Sequence, residues 1–172
     1  SKKSSEIIAN GNILGWFQGA AEFGPRALGN RSILCKPFPA KMRDHMNKNV
    51  KFRENFRPFA PAVLNNFAKE FFELEQESQH MLIATKVKDE KKKYIPATVH
   101  IDKSCRVQTV HKKTNKKFFD LINNFYQISK VPVVLNTSFN VKGQPIVNDP
   151  EDAILCFLKY NIDYLAIGDF IV

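Results

Sequence analysis

Apolar positions change period several times along the chain, and each change marks an element. Ile7 and Ile8, followed by Ile13, Leu14 and Trp16, read as a short helix, a turn at Asn10-Gly11-Asn12, and a strand from Ile13 to Gln18 that runs out at Gly19. From Met42 to Arg53 the spacing predicts a basic amphipathic helix. From Asn65 to Glu77 it predicts a second helix, with Phe67, Phe71, Phe72 and Leu74 as its apolar face and Pro58 and Pro61 between the two. Met81 to Val87, Tyr94 to Ile101 and Arg106 to Val110 are short β-rich stretches, divided by the charged tract Lys88 to Lys93, which reads as a solvated loop. In the second and third stretches, alternation puts His100 and Asp102 on one strand face and Arg106 with Gln108 on one face of the next strand, so a hairpin would bring these polar faces together.

Lys116 to Ser129 carries Phe118, Leu121, Ile122 and Phe125 at helical intervals, and the apolar run Val131 to Leu135 after it is typical of a buried strand. A last helix is announced by Asp149 as N-cap, Pro150 in the first position, and Glu151 and Asp152 in the first turn. Tyr164 to Val172 reads as a terminal strand. No repeat or linker interrupts this order, so the pattern predicts a single α/β domain (α+β mixed), a mixed sheet with helices packed on it.

The length of 172 residues suits one domain. No apolar run approaches the roughly 20 residues of a membrane-spanning helix, and Ser1 to Glu6 lacks a signal-peptide core, so a cytoplasmic protein without membrane attachment is expected. Cys35, Cys105 and Cys156 are odd in number and far apart, which predicts reduced thiols rather than a disulfide framework or zinc site. The net charge of +9 calls for an acidic partner without choosing among phosphate ligand, nucleic acid and membrane surface. Distribution narrows this: of six arginines, Arg26, Arg31, Arg43, Arg53 and Arg57 fall within 32 residues, whereas the twenty lysines are spread along the chain. A lysine serves as a solvated charge anywhere, while the planar guanidinium fork grips two oxygens at once.

Three segments carry candidate chemistry. Glu22 to Ser32 sets Arg26 and Arg31 between glycines, so that backbone and guanidinium groups can approach one anion together. Lys51 to Pro61 alternates Lys51, Arg53 and Arg57 with aromatics on a proline-stiffened backbone, which favours a fixed pocket over an adaptable groove. Asn136, Thr137, Ser138 and Asn140 leave the buried strand as a cluster of hydroxyl and amide groups suited to phosphate or adenine edges. His100 with Asp102 lacks a third partner and is assigned no metal.

In this order, EFGPRALGNRS, KFRENFRPFAP, HIDKSCRVQTV and LNTSFNVKGQPIVNDPEDAI resemble the C-terminal domain of the nodulation and antibiotic-biosynthesis O-carbamoyltransferases, over about residues 11 to 172. The resemblance implies a YrdC-like twisted mixed sheet with flanking helices, residues 1–10 being the end of an interdomain segment. It implies that ATP and carbamoyl phosphate are converted to carbamoyladenylate here, with Mg²⁺ neutralising the departing pyrophosphate. Transfer of the carbamoyl group to a hydroxyl acceptor would fall to an actin-like, metal-binding N-terminal domain that is not in this chain.

Matched motif by motif, Lys51, Arg57 and Arg106 would be catalytic and, with Arg26, would surround carbamoyl phosphate and the ATP phosphates. Arg31 and Arg53, from the same motifs, join them as anion-binding candidates, Asn136, Thr137, Ser138 and Asn140 would contact the nucleotide, and His100 and Gln108 are secondary candidates. Two positions depart from the family pattern: Lys103 stands where glycine is usual, and Ala20-Ala21 replaces a basic-hydrophobic pair. A homodimer is compatible with this reading. The competing reading is a basic RNA- or nucleic-acid-binding module of related fold.

Overall fold

The computed structural model describes residues 1–172, and its first elements follow the hydrophobic pattern closely. Lys2–Ala9 form α1, with Ile7 and Ile8 buried, so residues 1–10 pack into the core instead of trailing from it. Gly11, at φ 95°, turns the chain into β1 (Leu14–Phe17), which pairs antiparallel with β2 (Arg31–Cys35). The basic helix begins as α2 (Lys41–His45), widens into a π-helical stretch Met46–Lys51, and stops where Phe52 takes a left-handed φ of 48°. β3 (Ala60–Leu64) follows.

The long helix expected over Asn65 to Glu77 does not form. A 3₁₀ turn Asn65–Phe67 and the short α3 (Ala68–Phe71) are all that appear, because Phe72 turns extended and bridges to Val87 while Glu73 N–H donates to Lys86 O at 3.0 Å. The β-rich reading of Tyr94 to Ile101 is also overturned: 3₁₀ turns at Asp89–Tyr94 and Pro96–Thr98 occupy the segment and bury Ile95 and Ala97. The stretch Arg106 to Val110 is not one strand. β4 (Ala84–Lys86) and β5 (Ser104–Arg106) make a separate two-stranded ribbon, and at Val107 the chain crosses to β6 (Gln108–Val110) at the edge of the main sheet. Arg106 and Gln108 therefore belong to different sheets.

α4 (Lys116–Ser129) is capped by the Asn115 side chain, and β7 (Val133–Ser138) runs from the apolar segment into the polar one. α5 (Pro150–Lys159) has Asp149 accepting from Asp152 N–H at 2.9 Å, as its sequence announces. The terminal strand splits into β8 (Tyr164–Ile167) and β9 (Phe170–Ile171), because Gly168, at φ 57°, folds it into a hairpin.

The main sheet has the order β6-β3-β7-β2-β1-β8-β9, with β1 parallel to β8 and β3 parallel to β6. Both faces are covered. Leu14, Trp16, Leu34 and Leu64 pack under α1 and α4, while Ile33, Cys35, Leu135 and Leu165 pack under the α2 segment and α5. The central strands are buried end to end, which explains their continuous apolar runs. No helix is long and apolar enough to cross a membrane.

Candidate functional site

The polar end of β7 lies beside the start of β3, Asn136 opposite Ala60, and beside β2, Ser138 opposite Ser32. The loop 22–30 folds across this end and the β4–β5 ribbon closes it, leaving a cavity of about 100 Å³. Arg26, Arg53, Arg106, Asn136, Thr137 and Ser138 line it together with Pro25, Pro58, Phe59 and Met81, and no carboxylate is in the wall.

Each cation is fixed by a different element. Arg53 Nε donates to Asn47 Oδ1 at 2.7 Å and its guanidinium stacks 4.6 Å from the Phe59 ring centroid, which holds it rigidly against the wall. Burial, then the neighbouring Arg57, pushes its pKa below the ordinary arginine value. Arg106 projects from the ribbon with its buried Nε unpartnered. Burial, and secondarily Arg26, pulls its pKa down as well. Guanidinium groups gathered without a counter-ion are an arrangement that an anion completes.

Backbone geometry around Arg26 is imposed by groups that are distant in sequence. Glu22 Oε1 accepts from Leu28 N–H at 2.7 Å, from Asn30 N–H at 2.7 Å and from Arg31 N–H at 3.4 Å, tying the loop into a ring. Trp16 Nε1 donates to Gly29 O at 2.8 Å, and Gln108 Nε2 donates to Leu28 O at 2.8 Å. Asn136 Nδ2 donates to Ala27 O at 3.0 Å and to Gln108 Oε1 at 2.9 Å. Glu22, Trp16 and Asn47 hold site residues in place although sequence reasoning assigns them no part. Only Glu22, a lone carboxylate heading a glycine-rich arginine loop, carries a signal that could have been read.

Not every candidate converges here. Arg31 is only 5% exposed, and its guanidinium donates to the carbonyls of Gln18 (2.9 Å), Asn30 (3.1 Å) and Gly19 (3.1 Å) while stacking on Phe17. It closes the end of β1 and is turned away from the cavity. Arg57 is exposed and ion-paired with Glu54 at 2.8 Å. Lys51, 4% exposed, lies behind the wall, where Nζ donates to Ser138 O (2.9 Å), Asn140 O (2.7 Å) and Asn140 Oδ1 (2.8 Å) and approaches Ser138 Oγ at 3.3 Å. Burial, then Arg53, pushes its ammonium down to about 7. Lys51 and Asn140 thus brace the Ser138 loop from below. His100 sits on the turn before β5, its Nδ1 3.4 Å from Ser104 Oγ, outside the cavity.

All three cysteines are free and buried, with burial raising the pKa of each, that of Cys105 to about 12. A larger cleft of about 630 Å³ lies between α5 and residues 144–147, but it is mainly apolar and contains Asp152 beside its single cation Lys159. The smaller cavity is the one that gathers three arginines and no carboxylate.

Lys103 occupies a left-handed turn at φ 67°, where a glycine would meet no steric penalty. We expect Lys103→Gly to raise unfolding stability by about 0.5–1 kcal/mol, the relief of strain exceeding the entropy of the added glycine. Urea denaturation checks this, and an unchanged or lowered midpoint would contradict it.

The mixed sheet with helices on both faces defines an α/β domain with a YrdC-like fold, as the sequence leads one to expect. The chain belongs to the family described as Carbamoyltransferase C-terminus, whose profile matches residues 5–172. It is 45% identical over 175 residues to the nodulation protein NolO of Bradyrhizobium diazoefficiens, covering 100% of this chain and 32% of the relative. With the 3'-hydroxymethylcephem-O-carbamoyltransferase of Streptomyces clavuligerus it shares 36% identity over 165 residues, 96% of this chain and 31% of the relative. The chain therefore spans about a third of the length of these curated relatives. Among solved structures it resembles HypF of T. kodakarensis, with a TM-score of 0.66 at 21% identity over 95% of this chain and 20% of that one. Sua5 of P. abyssi gives a TM-score of 0.61 at 10% identity over 98% of this chain and 48% of that one. The two structures share its fold.

Proposed function

We propose that this chain is the carbamoyl-phosphate- and ATP-binding domain of a larger carbamoyltransferase, forming carbamoyladenylate that the remaining polypeptide uses to carbamoylate a hydroxyl acceptor. The observation that carries the reading is the convergence of Arg26, Arg53 and Arg106, from three separate elements, on one small cavity without a carboxylate. With a volume of about 100 Å³ the cavity is far smaller than the cleft of about 630 Å³ beside α5, a size that suits a small anion better than a whole nucleotide. ATP would place phosphate oxygens at the mouth, near Thr137 and Ser138, with its base outside.

Water would cleave carbamoyl phosphate into carbamate and inorganic phosphate. A carbamate oxygen would then attack the α-phosphorus of ATP as the bond to the β-phosphate breaks and pyrophosphate departs. Fixed guanidinium groups suit this chemistry because they cancel the repulsion between two polyanions and meet charge as it develops. No side-chain nucleophile is needed. The wall offers arginine, amide and hydroxyl groups, a donor set that does not suit Mg²⁺ held by protein, so Mg²⁺ would belong to the nucleotide as part of the substrate.

The test is calorimetric titration of the chain with carbamoyl phosphate, together with carbamoyl-phosphate-dependent release of pyrophosphate from ATP. Binding in the micromolar to millimolar range is expected. Absence of both signals at 10-fold excess over about 1 mM ligand, an affinity worth only about 4 kcal/mol, would overturn the proposal. The enclosed convergence of Arg26, Arg53 and Arg106 on one small cavity favours a small anion over the nucleic-acid alternative.

A further inference from the structure

Asn136 forms part of the cavity wall, is 1% exposed, and has an Oδ1 atom with no hydrogen-bond partner in the protein. Its amide orientation is fixed by a chain of acceptors. Leu28 O can only accept, so the Gln108 amide nitrogen must face it, which leaves Gln108 Oε1 to face Asn136. Asn136 Nδ2 therefore points to Gln108 Oε1 and to Ala27 O, and both of its hydrogens are used. What remains is a bare, buried acceptor on a residue that lines the cavity with Arg26, Arg53 and Arg106, whose side chains are donors only. A buried acceptor left unpaired is unfavourable unless a water or a ligand donor completes it, and a ligand that fills the cavity must supply that donor itself. The cavity thus asks for a small anion that also carries a hydrogen-bond donor.

We propose that Asn136 Oδ1 accepts a hydrogen bond from the carbamoyl N–H of carbamoyl phosphate and is the specificity-determining contact that selects carbamoyl phosphate over acyl phosphates. The inference rests on the assignment of this cavity to carbamoyl phosphate. It moves Asn136 from nucleotide contact to recognition of the transferred group. Acetyl phosphate has the same phosphate and carbonyl but a methyl group in place of the amino group. It would satisfy the arginines and leave Oδ1 desolvated and unpaired, and sites built to bond a substrate N–H reject analogues that lack it strongly.

The chain is titrated with carbamoyl phosphate, acetyl phosphate and inorganic phosphate. The wild-type protein is expected to bind carbamoyl phosphate at least about tenfold more tightly than acetyl phosphate, the equivalent of one satisfied buried hydrogen bond. In Asn136→Ala that ratio should fall to about one, while any weakening caused by the lost bond to Ala27 O falls on carbamoyl, acetyl and inorganic phosphate alike. Gln108→Ala removes the strut to Leu28, while Ala27 O, which can only accept, still holds Asn136 Nδ2 and so keeps Oδ1 oriented; it should weaken all three ligands together and preserve the ratio. Equal wild-type affinities for carbamoyl and acetyl phosphate would overturn the proposal without any variant being needed, and would leave the anion site standing. Loss of the ratio in Gln108→Ala as much as in Asn136→Ala would reduce Asn136 to a purely structural role. If none of the three ligands bound, the assignment of the cavity itself would fall.

Discussion

Arg106→Ala is expected to weaken carbamoyl phosphate binding by about 100-fold, close to 3 kcal/mol, while leaving the unliganded fold as stable as before or slightly more so. The two effects have one cause. Arg106 has a buried Nε without a partner, and burial together with Arg26 destabilises its charged form. Without ligand, the side chain is a desolvated cation facing other cations, and removing it relieves that repulsion. With ligand, the same guanidinium meets a phosphate in a low-dielectric cavity, where a charge-assisted hydrogen bond is strong. Arg106→Lys should recover only part of the affinity, because a point charge cannot reproduce the two-pronged contact. Calorimetry and thermal melts on the same samples decide the matter: affinity within threefold of wild type, or a melting temperature several degrees lower, would remove Arg106 from the site.

The second large effect falls on the loop that carries Arg26. In Gly29→Ala the new Cβ would lie 2.2 Å from Phe118 Cδ1, and the backbone would stay at φ 108°, outside the left-handed region that L-residues tolerate. Overpacking costs about 1–3 kcal/mol and the backbone strain adds about 1–2, so a destabilisation of about 3–5 kcal/mol is expected. For a chain of this length that is roughly 10 °C in melting temperature. Gly24 is the control: it also has a positive φ, 124°, but a Cβ there meets nothing within 4 Å, so Gly24→Ala should cost only the strain. Combining Gly29→Ala with Phe118→Leu should cost less than the two single changes added together, since the smaller side chain gives way. Urea denaturation of the four variants measures this, and equal losses for Gly29→Ala and Gly24→Ala would mean that contact with Phe118 is not what fixes the loop.

Several elements were legible because their signals are local. α4 spans the same residues in pattern and in structure, α5 starts at its Asp149 cap, and the apolar run before Asn136 is the buried strand that delivers the polar cluster. The arginine cluster was legible too, since guanidinium groups concentrated in a lysine-rich chain are visible in the composition. Where the pattern misled, a distant partner had intervened. The phenylalanines of the expected second helix were taken up by a bridge from Phe72 to Val87, and the stretch containing Arg106 was divided between two sheets.

The sequence by itself determined that this domain is α/β, which family its motifs resemble, and that its arginines are concentrated in a few of those motifs. Only the tertiary structure decided which arginines line one cavity. Arg31 and Arg26 stand five residues apart in one motif, yet Arg31 is bound by carbonyls at the end of β1 while Arg26 meets Arg106 across the cavity. The same holds for Asn136, whose free acceptor exists because its amide is claimed by Ala27 and Gln108, 109 and 28 residues away. A side chain's type fixes which bonds it can form. The partner it finds depends on which strands lie together, and that follows from burying both faces of the sheet at once, a property of the whole chain that no short window of sequence contains.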